Sequence, residues 1–281
     1  FGKTAGAAAA VFYMLAPYRA VDVYVRGALA ESFSFVWLPL ILWAFYKISI
    51  EKNHKYISLS AIFMSLLMIT HNLIFLPFMI ILPIYLLTLL IFSKNKKYFI
   101  VSSVVSVAIS FGLSSFFWIP SLAEKSESLV DRMLLTDLAS YKIHFVYLQQ
   151  LWDWSWGYGG SAEGLKDGLS FKIGKLHIIL ALLSLLGAMF SFKSNRNKSK
   201  NVIVIGIFVS FIVASFMTLN YSQPIWDRLK VLWYLQFPWR FLTLTTLFSA
   251  LLAGAFVAQI RIKIAQIVLA AVLLVFLFST N

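Results

Sequence analysis

Apolar residues in this chain fall into long blocks separated by short polar punctuation. Nine blocks can be marked, at 5–17, 33–46, 57–70, 73–92, 98–120, 176–192, 202–219, 241–258 and 264–279. Several approach the roughly 20 residues that a helix needs to cross the hydrocarbon core of a bilayer. The pattern predicts an all-α, polytopic integral membrane protein of about nine transmembrane helices, forming one domain over 1–281. The chain opens on Phe1, with no initiator methionine or charged leader, and stops inside an apolar block. Both ends are therefore expected to be cut, the first block having begun upstream.

Composition agrees with lipid as the solvent. Sixty per cent of residues are apolar and 12% are charged, against about 25% charged in soluble domains. There is no cysteine, and the four histidines (His54, His71, His144, His177) lie far apart in the sequence, so no metal site is expected.

The net charge of +13 acquires meaning from its position. If the spans alternate, Lys3 and loops 47–55, 93–97, 193–200 and 259–263 share one side and carry 13 basic residues against one acid, Glu51. The other side holds 11 basic and 10 acidic residues. The positive-inside rule makes the first side cytoplasmic. Basic charge spread through short loops beside anionic lipid also argues against nucleic acid as a partner.

Four outer segments then hold nearly all candidate chemistry: 18–32, the turn at His71 and Asn72, the stretch 121–174, and 220–240. The stretch 121–174 is too polar to span a membrane and too rich in Trp and Tyr to be a disordered linker. It is expected to fold as an extracytoplasmic cap, with Trp152, Trp154 and Trp156 at least partly buried.

Within 18–32, Asp22 and Arg26 are spaced to pair on one helical face. Glu31, nearest the following apolar run, has the greatest need of a partner. These charges either anchor helix ends at the interface or form a polar pocket, with Arg19 or Arg26 facing a phosphate and Asp22 or Glu31 a hydroxyl. His71-Asn72 reads most simply as a turn in which Asn72 caps the next helix. The run 152–160, Trp-Asp-Trp-Ser-Trp-Gly-Tyr-Gly-Gly, suits either an interfacial belt or a carbohydrate platform. In Phe237-Pro238-Trp239-Arg240, Arg240 either snorkels outward or offers its fork to a phosphate. No phosphate-binding loop, GxSxG elbow or HExxH helix occurs, so nothing supports ATP-driven transport by this chain alone.

Several motifs occur in one order along the chain: Ala16-Pro17-Tyr18-Arg19, then 22–31, His71-Asn72, Phe117-Trp118-Ile119-Pro120 followed by Glu124, Ser170-Phe171-Lys172-Ile173-Gly174, and Phe237-Pro238-Trp239-Arg240. Together they resemble the bacterial and archaeal membrane family labelled 6-pyruvoyl-tetrahydropterin synthase-related, itself similar to the C-type glycosyltransferase superfamily. The pterin label does not imply a pterin enzyme, since clustered zinc-binding histidines and a soluble enzyme core are missing. The resemblance implies a C-type glycosyltransferase-like fold in the plasma membrane of a prokaryote, with its active face extracytoplasmic. It also implies a sugar donor linked to polyprenyl phosphate and a glycan, lipid or protein acceptor, with membrane lipids as the surrounding partners. No resident cofactor is implied, and nothing supports a divalent metal.

Members of that family carry an earlier outer loop with a Gly-His-Asp element, upstream of the residues present here, which is expected to hold the catalytic aspartate. Carried over by position are Tyr18, Arg19, Asp22, Arg26, Glu31, His71, Asn72, Glu124, Trp239 and Arg240. Asp22 and Glu31 are the candidate carboxylates, while Arg26 and Arg240 are the candidates for the lipid phosphate. Arg19, Asp22, Arg26, Glu31, His71 and Arg240 are expected to converge on one outward cavity, because an unpaired ionisable group facing lipid is costly. A transporter or flippase of lipid-linked saccharides, or a non-catalytic assembly subunit, stands as the alternative.

Overall fold

The computed structural model describes residues 1–133, 139–193 and 198–280. Parts of the cap stretch 121–174 and of loop 193–200 therefore lie outside the described residues. The helices that organise the molecule are α1 (Lys3–Met14), α2 (Leu29–Ile50), α3 (His54–Thr70), α4 (Asn72–Phe92), α5 (Lys96–Leu113), α6 (Ser115–Ala123), α7 (Lys175–Lys193), α8 (Lys198–Thr218), α9 (Leu242–Gln259) and α10 (Lys263–Thr280). Between them lie short helical turns, and among the described residues no β-strand forms.

Among the described residues, six segments are long and apolar enough to cross a membrane: Leu29–Ile50, Asn72–Phe92, Lys96–Leu113, Lys175–Phe192, Lys198–Thr218 and Pro238–Gln259. His54–Thr70 and Lys263–Phe278 are apolar but shorter, and α1 has 12 residues. The count that length and composition support is thus six rather than nine. The apolar block 98–120 is also not one helix. It breaks at Ser114, which ends α5 and begins the short α6. Side chains cap two of the helix starts at polar residues, Asn53 accepting from the Lys55 amide and Asn95 from that of Tyr98, as expected for residues that satisfy the first amides of a helix.

Helix α9 is the central pillar, buried on nearly every face and packed by α1, α7 and α8. Small residues allow the approach, because lipid tails provide no hydrophobic drive between helices and close backbone packing must supply the attraction. A Cβ on Gly254 of α9 would lie 2.6 Å from the Ala5 carbonyl oxygen and 2.8 Å from the Ala9 Cβ of α1. A Cβ on Gly206 of α8 would lie 2.1 Å from the Thr88 hydroxyl of α4. Buried serines add polar contacts, as where Ser60 of α3 meets Ser106 of α5 at 2.7 Å.

The bundle has two chemically distinct ends. At one, Glu51, Lys52 and Lys94 line a common cleft, and Phe1, Lys200 and Arg261 line a cavity of about 310 Å³. At the other, residues 139–174 and 219–241 pack over the helix ends. Tyr141, Phe145, Val146, Leu151 and Phe171 of this layer belong to the same buried apolar cluster as the helices. Val146 bridges to the end of α8, its amide donating to the Thr218 carbonyl at 2.9 Å and its carbonyl accepting from the Asn220 amide at 3.1 Å. Tyr141 lies stacked against both Trp226 and Trp233 and donates to Asp227 at 2.6 Å. These residues, rather than the tryptophans of 152–156, hold the layer down, since Trp152 is 44% and Trp156 42% exposed while Trp154 is half-buried.

Candidate functional site

The chain between α1 and α2 is built as a tight polar turn. Pro17 starts a helical turn, Pro17–Ala20, where its missing amide costs nothing. The next turn widens to π-helical over Val21–Val25, with the Arg26 amide donating to the Val21 carbonyl at 3.0 Å. Single π-turns are frequent at functional sites. Gly27 then adopts a φ of 60°, a conformation that glycine takes without a Cβ penalty. The chain reverses there into α2, which brings Glu31 and Ser32 back over Asp22 and Arg26.

The result is a buried charge cluster. Arg26 Nη1 donates to Asp22 Oδ1 and, at 2.9 Å, to Glu31 Oε2, and it reaches the Tyr18 hydroxyl at 3.4 Å. Both carboxylates are fully buried. Glu31 Oε1 accepts from the Tyr18 hydroxyl at 3.0 Å and from Thr243 Oγ1, in the first turn of α9, at 3.3 Å. Ser32 Oγ donates to Asp22 Oδ2 at 3.1 Å. His71 enters from the turn between α3 and α4, its Nε2 lying 3.9 Å from Glu31 Oε2. This satisfies the demand for partners that a carboxylate at this depth makes.

From the cap side, Trp239 presents its ring to the Arg26 guanidinium at 4.4 Å. Its other contacts are aromatic, with Phe237 stacked at 4.7 Å and Phe171 at 5.7 Å. Arg240 is 7% exposed. One of its terminal nitrogens donates to the Leu235 carbonyl, and its guanidinium lies 5.0 Å over the Phe237 ring. Among the described residues it forms no ion pair, although Glu31 and Asp22 are near enough to interact with it electrostatically. The Nε of Arg240 and the Nε1 of Trp239, on consecutive residues, are buried N–H donors without a partner among the described residues. Buried donors are ordinarily satisfied, so two adjacent exceptions call for an explanation.

The electrostatics follow from crowding. Burial, and after it the charge of Glu31, push the Asp22 carboxyl up against the pull of Arg26. Burial also lowers His71, whose Nδ1 accepts from the Ile74 amide at 3.1 Å. His71 is therefore assigned as the neutral tautomer with its proton on Nε2, toward Glu31. Counting formal charges, Arg26 and Arg240 balance Asp22 and Glu31, which suits ions kept out of water.

Tyr18, Asp22, Arg26, Glu31, His71, Trp239 and Arg240 are thus brought together from three parts of the chain. Three expected members lie elsewhere. Arg19 turns back to donate to the Met14 carbonyl at 2.9 Å and lies near the Phe35 ring. Asn72 is exposed, and the capping expected of it is performed by His71. Glu124 is exposed at the end of α6. Arg26, expected to face a phosphate, is instead engaged by two carboxylates. Thr243 and Ser32 escaped sequence reading because a hydroxyl in the first turn of a helix carries no distinguishing signal, and Thr243 lies 212 residues from Glu31. Among the described residues, no group of three or more His, Cys, Asp or Glu side chains gathers in a way suited to a metal ion.

No curated protein and no solved structure matches the chain. The profile of the 6-pyruvoyl-tetrahydropterin synthase related domain, described as a membrane protein, matches residues 1–281, and the chain belongs to that family.

Proposed function

We propose that this membrane protein is a glycosyltransferase that takes a sugar from a polyprenyl-phosphate-linked donor at the extracytoplasmic face of the plasma membrane, with the buried charge cluster as the donor site. The observation that carries this reading is the division of labour between the two arginines. Arg26 is spent on Asp22 and Glu31, whereas Arg240 and its neighbour in sequence, Trp239, each have a buried N–H to offer. An anion with several acceptor oxygens, such as a phosphate ester, would satisfy both donors, and arginine matches that geometry well. The concentration of basic loops at the opposite end supports an outward-facing site through the positive-inside rule.

In the reaction proposed, an acceptor hydroxyl oxygen attacks the anomeric carbon, and the bond from that carbon to the phosphate oxygen breaks. The lipid phosphate leaves with the bonding pair, stabilised by Arg240 and the Trp239 N–H. The hydroxyl proton passes to a carboxylate acting as general base. Asp22 suits the task because its raised proton affinity lies closer to neutrality than that of an ordinary aspartate. A single displacement inverts the anomeric centre.

The test is transfer from a radiolabelled polyprenyl-phosphate sugar by the protein in nanodiscs. Arg240→Ala is expected to abolish transfer. Trp239→Phe, which keeps the stacked ring and removes only the N–H, is expected to lower it by about 10- to 100-fold, the worth of one hydrogen bond to a charged group. Full transfer by both variants, or none by the unaltered protein, would refute the reading.

A further inference from the structure

We infer that the aromatic pair Trp156 and Tyr158 on the cap is a carbohydrate-binding surface for an oligosaccharide, separate from the buried charge cluster. The two rings lie 6.2 Å apart between centroids and nearly perpendicular, at 82°, and they are 42% and 77% exposed. The edge-to-face contact itself sets the two rings side by side on the surface of the cap.

The backbone beneath them is locked. The Gly159 amide donates to the Gly168 carbonyl at 2.8 Å, and the Gly168 amide donates to the Gly160 carbonyl at 2.9 Å. The two segments touch so closely that a Cβ on Gly157 would lie 2.4 Å from the Gly168 carbonyl oxygen, and one on Gly159 2.8 Å from the Gly168 Cα. On one flank, Trp154 is pinned through its indole N–H to the Asp167 carbonyl at 3.1 Å. On the other, the Asp167 carboxylate accepts from Gln150 at 2.7 Å and from the Ala162 amide at 2.8 Å. A mobile loop would leave its aromatic rings wherever solvent pushed them. This one holds the backbone that carries the two rings in place while exposing both, so part of the ordering cost of binding has already been met in the fold.

The composition of the segment selects the ligand. Residues 153–163 include two acids, Asp153 and Glu163, and no lysine or arginine, and the rings are interleaved with glycine and serine rather than with aliphatic residues. A surface made for an anionic bilayer would carry basic charge and an apolar face to insert. Two amphipathic rings at right angles, with polar tips and small neighbours, instead fit a sugar chain, whose C–H faces pack on the rings while its hydroxyls stay wet. If the acceptor of the proposed transfer is a glycan, this surface would hold it, but the inference stands on the cap alone.

Isothermal titration of the nanodisc-embedded protein with chitohexaose, cellohexaose and maltohexaose tests it. At least one of the three is expected to bind. Trp156→Ala and Tyr158→Ala should each weaken that binding about tenfold, as loss of one ring contact does, and Trp156→Phe should retain most of it. Arg240→Ala, which removes the proposed phosphate donor, should leave sugar binding unchanged, so the two readings fail independently. Absence of binding by all three sugars, equal binding by the alanine variants, or quenching of Trp156 fluorescence by brominated lipid in the surrounding bilayer would overturn the inference.

Discussion

At the scale of single residues, the cluster is an exercise in balancing charge without water. Two carboxylates are buried together, and Arg26 is placed where one nitrogen serves both. That ionisable groups at these helix ends must find partners was legible in the sequence, because the cost of leaving them in lipid is large. Which partners they choose was not. Arg19 and Arg26 look equivalent on paper, and only the π-helical turn and Gly27 send one inward and the other back along α1. Asp22 provides a test. Its carboxyl is raised from an ordinary value of 3.8 to about 7, with burial the largest cause. The folded state therefore holds the proton more tightly than the unfolded chain between those values, so stability is greatest below the unfolded value and falls as pH rises through the window. Thermal unfolding of the nanodisc-embedded protein from pH 4.5 to 8 should show a melting temperature that declines with pH, and Asp22→Asn should flatten the decline. A melting temperature that rises over this range and is unaffected by Asp22→Asn would contradict the assignment.

At the scale of elements, the apolar blocks located the helices because a long apolar run can hide its backbone only by becoming helical in lipid. The exception is the run 98–120, where Phe116, Phe117, Trp118 and Ile119 are as apolar as the residues before Ser114. Hydropathy cannot register a break that keeps composition constant. The turn that delivers Trp239 and Arg240 was equally hidden. Gln236 takes a φ of 62°, and the Phe237 amide donates to the Leu235 carbonyl at 2.6 Å across it. That three-residue turn is a rare, strained conformation, holding about 1–3 kcal/mol in a residue with a side chain. Gln236→Gly should relieve part of that strain and raise the unfolding temperature, while Gln236→Val, β-branched at positive φ, should lower it. The opposite order in a thermal melt would mean that the turn is not formed as described.

For the whole molecule, the bundle separates two ends of different chemistry around the pillar of α9. Alternating spans made this separation legible, since the basic loops fall in phase along the sequence, and the structure gathers Phe1, Lys200 and Arg261 at one cavity and Lys52 and Lys94 at one cleft. The cap end unites segments as far apart as Tyr18 and Arg240, a juxtaposition that no local pattern could announce. The central claim is that this end receives a lipid-borne phosphate at Arg240 and Trp239. The most direct measurement is a cryo-electron microscopy structure of the nanodisc-embedded protein with a polyprenyl phosphate. The expected result is phosphate density within hydrogen-bond distance of Arg240 Nε and Trp239 Nε1, with the isoprenyl chain leaving toward lipid and Arg26 still paired to Asp22 and Glu31. Phosphate density at the basic end, or an Arg240 that stays out of contact with the bound phosphate, would contradict the account.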